Sequence, residues 1–142
     1  MRKLLLIAIV CMNSIVYSLE QTECMPIGLK CELLVNPLGI DTPKPRLSWK
    51  LNDKRKGARQ SAYQIFVSRD SLALAEDKGD RWNSGRQSVS DMLIEYTGPD
   101  LKAQTKYFWK VRVWDKDGTA CTSSIASFET GMMGAERWKG KW

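Results

Sequence analysis

The chain has 142 residues, 27% charged and 43% hydrophobic, which excludes a disordered or fibrous segment and suits one ordinary globular domain. It contains no histidine, which removes Ser-His-Asp and Cys-His catalysis and the usual histidine-bearing metal centres. The formal charge is +6, and loss of a leader containing Arg2 and Lys3 leaves about +4 on the mature chain.

The leader is expected at residues 1–18. Arg2 and Lys3 form a positive start, Leu4 to Val10 an apolar stretch, and Val16-Tyr17-Ser18 a cleavage site. That order predicts a secretory signal and an exported, periplasmic or extracellular protein; the stretch is too short for a spanning helix. Acylation of Cys11 as a lipoprotein is the rival reading, and bulky Val10 argues against it. No later segment is apolar enough to span a membrane. Cleavage after Ser18 leaves Cys24, Cys31 and Cys121, which allow one bridge at most. Cys31 lies in an apolar pattern and reads as a small buried hydrophobe, so Cys24 and Cys121, flanking the first and last strands, are the candidate pair.

After a polar stub at 19–23, a first strand is expected from Ile27 to Val35, with Leu29, Cys31 and Leu33 on one face and Lys30 and Glu32 on the other. Asn36-Pro37-Leu38-Gly39 ends it, and Thr42-Pro43-Lys44-Pro45 keeps the link extended. Leu47, Trp49 and Leu51 mark a second strand. The loop at 52–60 carries Lys54, Arg55, Lys56 and Arg59, a basic run read as a solvated loop rather than a nucleic-acid or polysaccharide patch. Tyr63, Ile65 and Val67 mark the third strand. Leu72, Leu74 and Ala75 predict one or two helical turns within 71–78, packed over the sandwich edge. Trp82-Asn83-Ser84-Gly85 reads as a turn with an aromatic lead-in, and Met92, Ile94 and Tyr96 as another strand.

Residues 101–118, LKAQTKYFWKVRVWDKDG, are the most informative stretch. Tyr107, Trp109, Val111 and Val113 share one face, Lys110 and Arg112 the other. Asp115-Lys116-Asp117-Gly118 has hairpin-turn chemistry. Leu101 and Thr105 lie six and two residues before Tyr107, the layout of a tyrosine corner. Ala126, Phe128 and Thr130 complete the set. Short strands separated by Gly, Pro and Asn turns predict an all-β, immunoglobulin-like or fibronectin type III sandwich over 24–132, with a short helical insertion. Phe108 and Trp114 point away from the core face and await cover, either by a neighbouring domain or by a loop of this one.

No convergent catalytic group is apparent. Asp77 and Asp80 fall in the insertion, and Asp115 and Asp117 in a turn where such residues ordinarily serve the turn itself. No Gly-rich phosphate cradle and no zinc-like Cys spacing occurs, so no catalytic, cofactor-binding or metal-binding residue and no cofactor is assigned.

LKCELLVNPLGIDTPKPRLSWKL at 29–51 resembles the opening of exported bacterial α-L-rhamnosidases of glycoside hydrolase family 78. The resemblance continues through SAYQIFVS (61–68), WNSG (82–85), KYFWKVRVWDKDG (106–118) and FETGM (128–132). WKGKW at 138–142 is similar to that family's entry into its next β-sandwich, so 133–142 is expected to begin a following β-domain cut short at the junction. The resemblance implies an N-terminal fibronectin III-like domain of a large hydrolase that releases terminal L-rhamnose. It also implies partners in the downstream β-sandwich and (α/α)6 barrel. The family's catalytic carboxylates, in an inverting arrangement about 6.5–9.5 Å apart, belong to that barrel, and no position here corresponds to them. The chain is therefore expected to be a structural accessory domain. The alternative is an independent carbohydrate-binding or adhesion module, with rhamnose-containing glycans as the candidate ligand, in which Trp82, Trp138 and Trp142 offer stacking surfaces. No nucleic-acid partner is expected on either reading.

Overall fold

The computed structural model describes residues 24–134 and Lys139. The expected signal with Cys11, the stub at 19–23, and Trp138 and Trp142 lie outside the described residues. The elements are β1 (Cys24–Cys31), β2 (Arg46–Asp53), β3 (Ala62–Ser68), α1 (Ser71–Ala75), β4 (Trp82–Asn83), β5 (Leu93–Glu95), β6 (Lys106–Trp114), β7 (Ala120–Thr122) and β8 (Ala126–Glu129). They form two antiparallel sheets. One has the order β1-β2-β5; in the other β4, β3 and β6 are neighbours, and both β7 and β8 pair with β6. This is the all-β, immunoglobulin-like sandwich that the strand pattern predicts.

Alternation places the core. Leu47 and Trp49 face inward from β2, Tyr63, Ile65 and Val67 from β3, Tyr107, Trp109, Val111 and Val113 from β6, and Phe128 from β8. Each fully buried apolar side chain of this size contributes about 1.5–3 kcal/mol. Trp49 stacks edge-on against Tyr63 at 5.5 Å, and its Nε1–H donates to buried Gln60 Oε1 at 2.8 Å, so the indole is buried with its polar atom satisfied. A disulfide joins Cys24 of β1 to Cys121 of β7, closing 97 residues and tying one sheet to the other. Cys31 is free and buried; burial, helped by neighbouring Glu32, pushes its thiol up to about 12.

The first strand departs from expectation. It runs from Cys24 to Cys31, with a register shift between Ile27 and Lys30 where Gly28 adopts φ +62°. A bulge adds one residue, so the buried face changes phase from Cys24 and Pro26 to Leu29 and Cys31. Glu32 and Leu33 then take positive φ in a tight turn in which Cys31 and Leu34 exchange backbone bonds. Leu33, expected inside, is 59% exposed.

Three further features differ from expectation. Trp82 and Asn83 pair with Val67 and Phe66 as a short edge strand rather than a simple turn. The last strand is interrupted: β7 and β8 both pair with β6, and between them Ser123 Oγ accepts the Val111 N–H that a continuous ladder would have satisfied.

Helix α1, capped by Asp70 accepting from Leu72 N–H, packs against the middle of β3 and β6 rather than the sandwich edge. The cause is Phe66. It alternates with the core residues Ile65 and Val67, is itself buried, and makes the outer face apolar where Leu74 is also buried. Asp77, just past the helix, receives Lys110 Nζ and Arg112 Nη2 at 2.6 Å each, and both cations also lie over the Phe66 ring. Phe108 and Trp114 stay half-buried, with Arg86 4.5 Å over Trp114 and Lys106 5.4 Å over Phe108.

Candidate functional site at the chain exit

Two polar constellations form that the sequence leaves apart. The first joins the β2–β3 loop to the β6–β7 turn. Arg55 donates to Asp53 at 2.6 Å, Asp115 at 2.7 Å and Asp117 at 3.0 Å, so it is a tie between loops and not merely a solvated cation. Lys54, Lys56 and Arg59 around it are exposed. Asp115 also accepts the N–H groups of Asp117 and Thr119, the turn role expected of it, and Gly118 takes φ +81°. Hydrogen bonds from Arg55 hold the Asp53 carboxyl down at about 2. Burial pushes Asp115 up, but Arg55 and the two N–H donors more than reverse this and leave it below its ordinary value. A glycosidase acid needs a carboxyl held protonated near neutral pH. Asp53, Asp115 and Asp117 are occupied by one guanidinium, and Asp53 and Asp115 are driven the opposite way.

The second constellation lies where the chain leaves the sandwich. The segment 36–41 crosses from the β1 sheet and runs beside β8. Asn36 Oδ1 accepts Ser127 N–H at 2.9 Å, Pro37 O accepts Glu129 N–H at 2.9 Å, and Ile40 bridges Thr130 in parallel register. Gly131 N–H donates to Ile40 O at 2.8 Å, and Gln104 N–H donates to Gly131 O at 2.9 Å. Asp41 Oδ1 then accepts Met133 N–H at 3.0 Å. A Cβ at Gly131 would collide with Asp41 Oδ1, so only glycine allows the carboxylate this close. Thr130 is buried; its Oγ1 accepts Thr105 N–H and donates to Lys102 O.

The tyrosine corner adjoins this clamp. Tyr107 Oη accepts Lys102 N–H at 2.8 Å, and the Tyr107 ring stacks on Phe128 at 5.4 Å. Lys102 thus has its N–H held by the corner and its carbonyl held by Thr130. The corner was readable from spacing. The roles of Asp41 and Thr130 were not, because their partners lie 92 and 28 residues away. The signal that pointed there was indirect: NPLGID and FETGM are two of the resemblance's motifs, and the fold brings them into contact.

Beside the clamp, Leu33, Leu34, Val35 and Leu38 stand 57% to 77% exposed. Trp82, by contrast, takes part in packing. It is partly buried against the core, edge-to-face with Tyr96 at 5.1 Å, and a Cβ at Gly98 would lie 2.7 Å from its own Cβ.

Residues 26–134 match the model of the Rha78A-like, N-terminal immunoglobulin domain. The chain belongs to that family. It is 47% identical over 113 residues to an alpha-L-rhamnosidase of Streptomyces avermitilis, a match covering 78% of this chain and 11% of the relative. Among solved structures, an alpha-L-rhamnosidase from Dictyoglumus thermophilum superposes with a TM-score of 0.79 at 42% identity, over 82% of this chain and 13% of that one. The Streptomyces avermitilis alpha-L-rhamnosidase complexed with L-rhamnose superposes at 0.78 and 43% identity, over 84% and 12%. The rhamnosidase N-terminal domain of this family spans only about an eighth of such relatives, so it is a small part of a larger polypeptide in them.

Proposed function

We propose that this chain is the structural accessory domain of an exported α-L-rhamnosidase, a glycoside hydrolase releasing terminal L-rhamnose, whose catalytic groups lie in other domains. The observation that carries the structural role is the exit clamp. Two of the segments that carry the resemblance, NPLGID and FETGM, hold the direction in which the chain leaves the sandwich, through Asn36, Pro37, Ile40 and Asp41 on Ser127, Glu129, Gly131 and Met133. A domain that must hold an orientation to its neighbour needs such a fixed exit, since interfaces between domains are otherwise mobile by default. Residues 1–18 are its signal, 24–132 its sandwich, and 133–142 the entry to a following β-domain. Export is supported by the Cys24–Cys121 disulfide, which persists in oxidising compartments and is rare in reducing ones.

The test is a graft. Residues 26–134 replace the matched region of the Streptomyces avermitilis enzyme, and kcat and KM for an aryl α-L-rhamnoside are compared with the parent enzyme. A structural domain leaves KM unchanged. A several-fold change in KM with unchanged melting shows that the domain touches substrate and overturns the structural reading.

A further inference from the structure

We infer that the exposed apolar ridge formed by Leu33, Leu34, Val35 and Leu38 is the docking face for the next domain of the same polypeptide; this rests on the accessory-domain reading above. The ridge is made, not accidental. The Cys31–Leu34 turn, with Glu32 and Leu33 both at positive φ, lifts three consecutive apolar side chains out of the strand pattern that would have buried alternate ones. Glu32 fastens the base of that turn, accepting the Arg46 N–H at 2.5 Å and ion-pairing with its guanidinium at 2.8 Å. Asn36 and Pro37, bonded to Ser127 and Glu129, then hold the end of the ridge against β8. Held apolar side chains in so short a run form the kind of patch that marks a protein contact.

Two observations identify the occupant. First, the ridge is continuous with the chain exit: Leu38 stands three residues before Asp41, whose carboxylate binds Met133 N–H and packs on Gly131. The chain therefore leaves the sandwich near the Leu38 end of the ridge, while Leu33, Leu34 and Val35 lie toward Ser127, and a following domain tethered there has a high effective concentration at that end. Second, in the relatives matched, this domain occupies 11% to 13% of a polypeptide that continues beyond it. The contact is between side chains rather than by strand addition, because segment 36–41 already takes up backbone groups of β8 at Ser127 and Glu129.

Hydrogen exchange on the graft described above, against the isolated chain, tests this directly. Backbone amides in 33–39 are expected to exchange at least tenfold more slowly in the graft. Leu34→Asp with Leu38→Asp should abolish that slowing while leaving the melting of the isolated chain unchanged, since both side chains are exposed. Slowing confined to another face, such as α1, overturns the ridge as the docking site but leaves the accessory-domain reading intact. No slowing at any face of this domain overturns both. Adding the isolated chain in trans to the Streptomyces avermitilis enzyme trimmed of its matched region provides a second readout. There the double variant should bind at least tenfold more weakly than the wild type, and equal binding rejects the ridge.

Discussion

At the scale of single residues, the fold rests on polar atoms whose partners are specific. Tyr107 Oη is bonded by Lys102 N–H, so Tyr107→Phe keeps the ring on Phe128 and leaves a backbone donor without its acceptor. The expected loss is about 1–3 kcal/mol, the range for an unpaired polar group, read as a lower urea midpoint with an unchanged m-value. A neutral result would remove the corner from the list of features that hold this domain together. The Arg55 cluster makes a pH prediction. The carboxyl of Asp53 falls from an ordinary 3.8 to about 2, with hydrogen bonds from Arg55 as the chief cause. Because the folded value lies below the unfolded one, ionised Asp53 favours the folded state, fully so above the unfolded value. That contribution disappears as pH falls through the folded value of about 2. The urea midpoint should thus be level from mildly acidic to neutral pH and drop below about pH 4. Asp53→Asn should flatten part of that drop, and a variant whose acid limb matches the wild type would show that Asp53 is not among the groups responsible.

At the scale of elements, period-2 alternation identified strands wherever one face packs on the other sheet. That held for β2, β3 and β6, whose inward residues are those the alternation selects. For β1 it selected Leu29 and Cys31 correctly but missed the start at Cys24, which lies across the bulge at Gly28, and the end at Cys31, where Glu32 and Leu33 turn at positive φ and put Leu33 outside. It placed the helix at the edge, whereas α1 lies against β3 and β6, on the face where Phe66 and Leu74 are both buried. The same distinction between centre and edge ranks two tryptophans. Trp109 is 1% exposed in the middle of β6, whereas Trp82 lies in a two-residue edge strand and is only partly buried. Trp109→Ala should cost about 3–5 kcal/mol and Trp82→Ala measurably less. Equilibrium urea unfolding of both variants checks the order, and equal losses would mean that β4 contributes as much as a central strand.

At the scale of the whole molecule, a sandwich of this kind hosts many functions, and chemistry has to be argued from sites. Among the described residues the carboxylates that do converge, Asp53, Asp115 and Asp117, are paired with Arg55. The isolated chain is accordingly expected to show no hydrolysis of an aryl α-L-rhamnoside above a protein-free control. Turnover that persists through purification and tracks the protein peak would contradict this. The sequence by itself determined the fold class, the core face of the long strands, the tyrosine corner and the resemblance to rhamnosidase N-terminal domains. All of these are written in periodicity, short-range spacing or motif identity, and a handful of neighbouring residues suffices to encode each. Only the tertiary structure decided the ends of β1, the seat of α1, the Arg55 tie and the clamp of Asp41 on Gly131 and Met133. These depend on groups 33 or more residues apart or on backbone turning at positive φ, and side-chain periodicity carries no information about either.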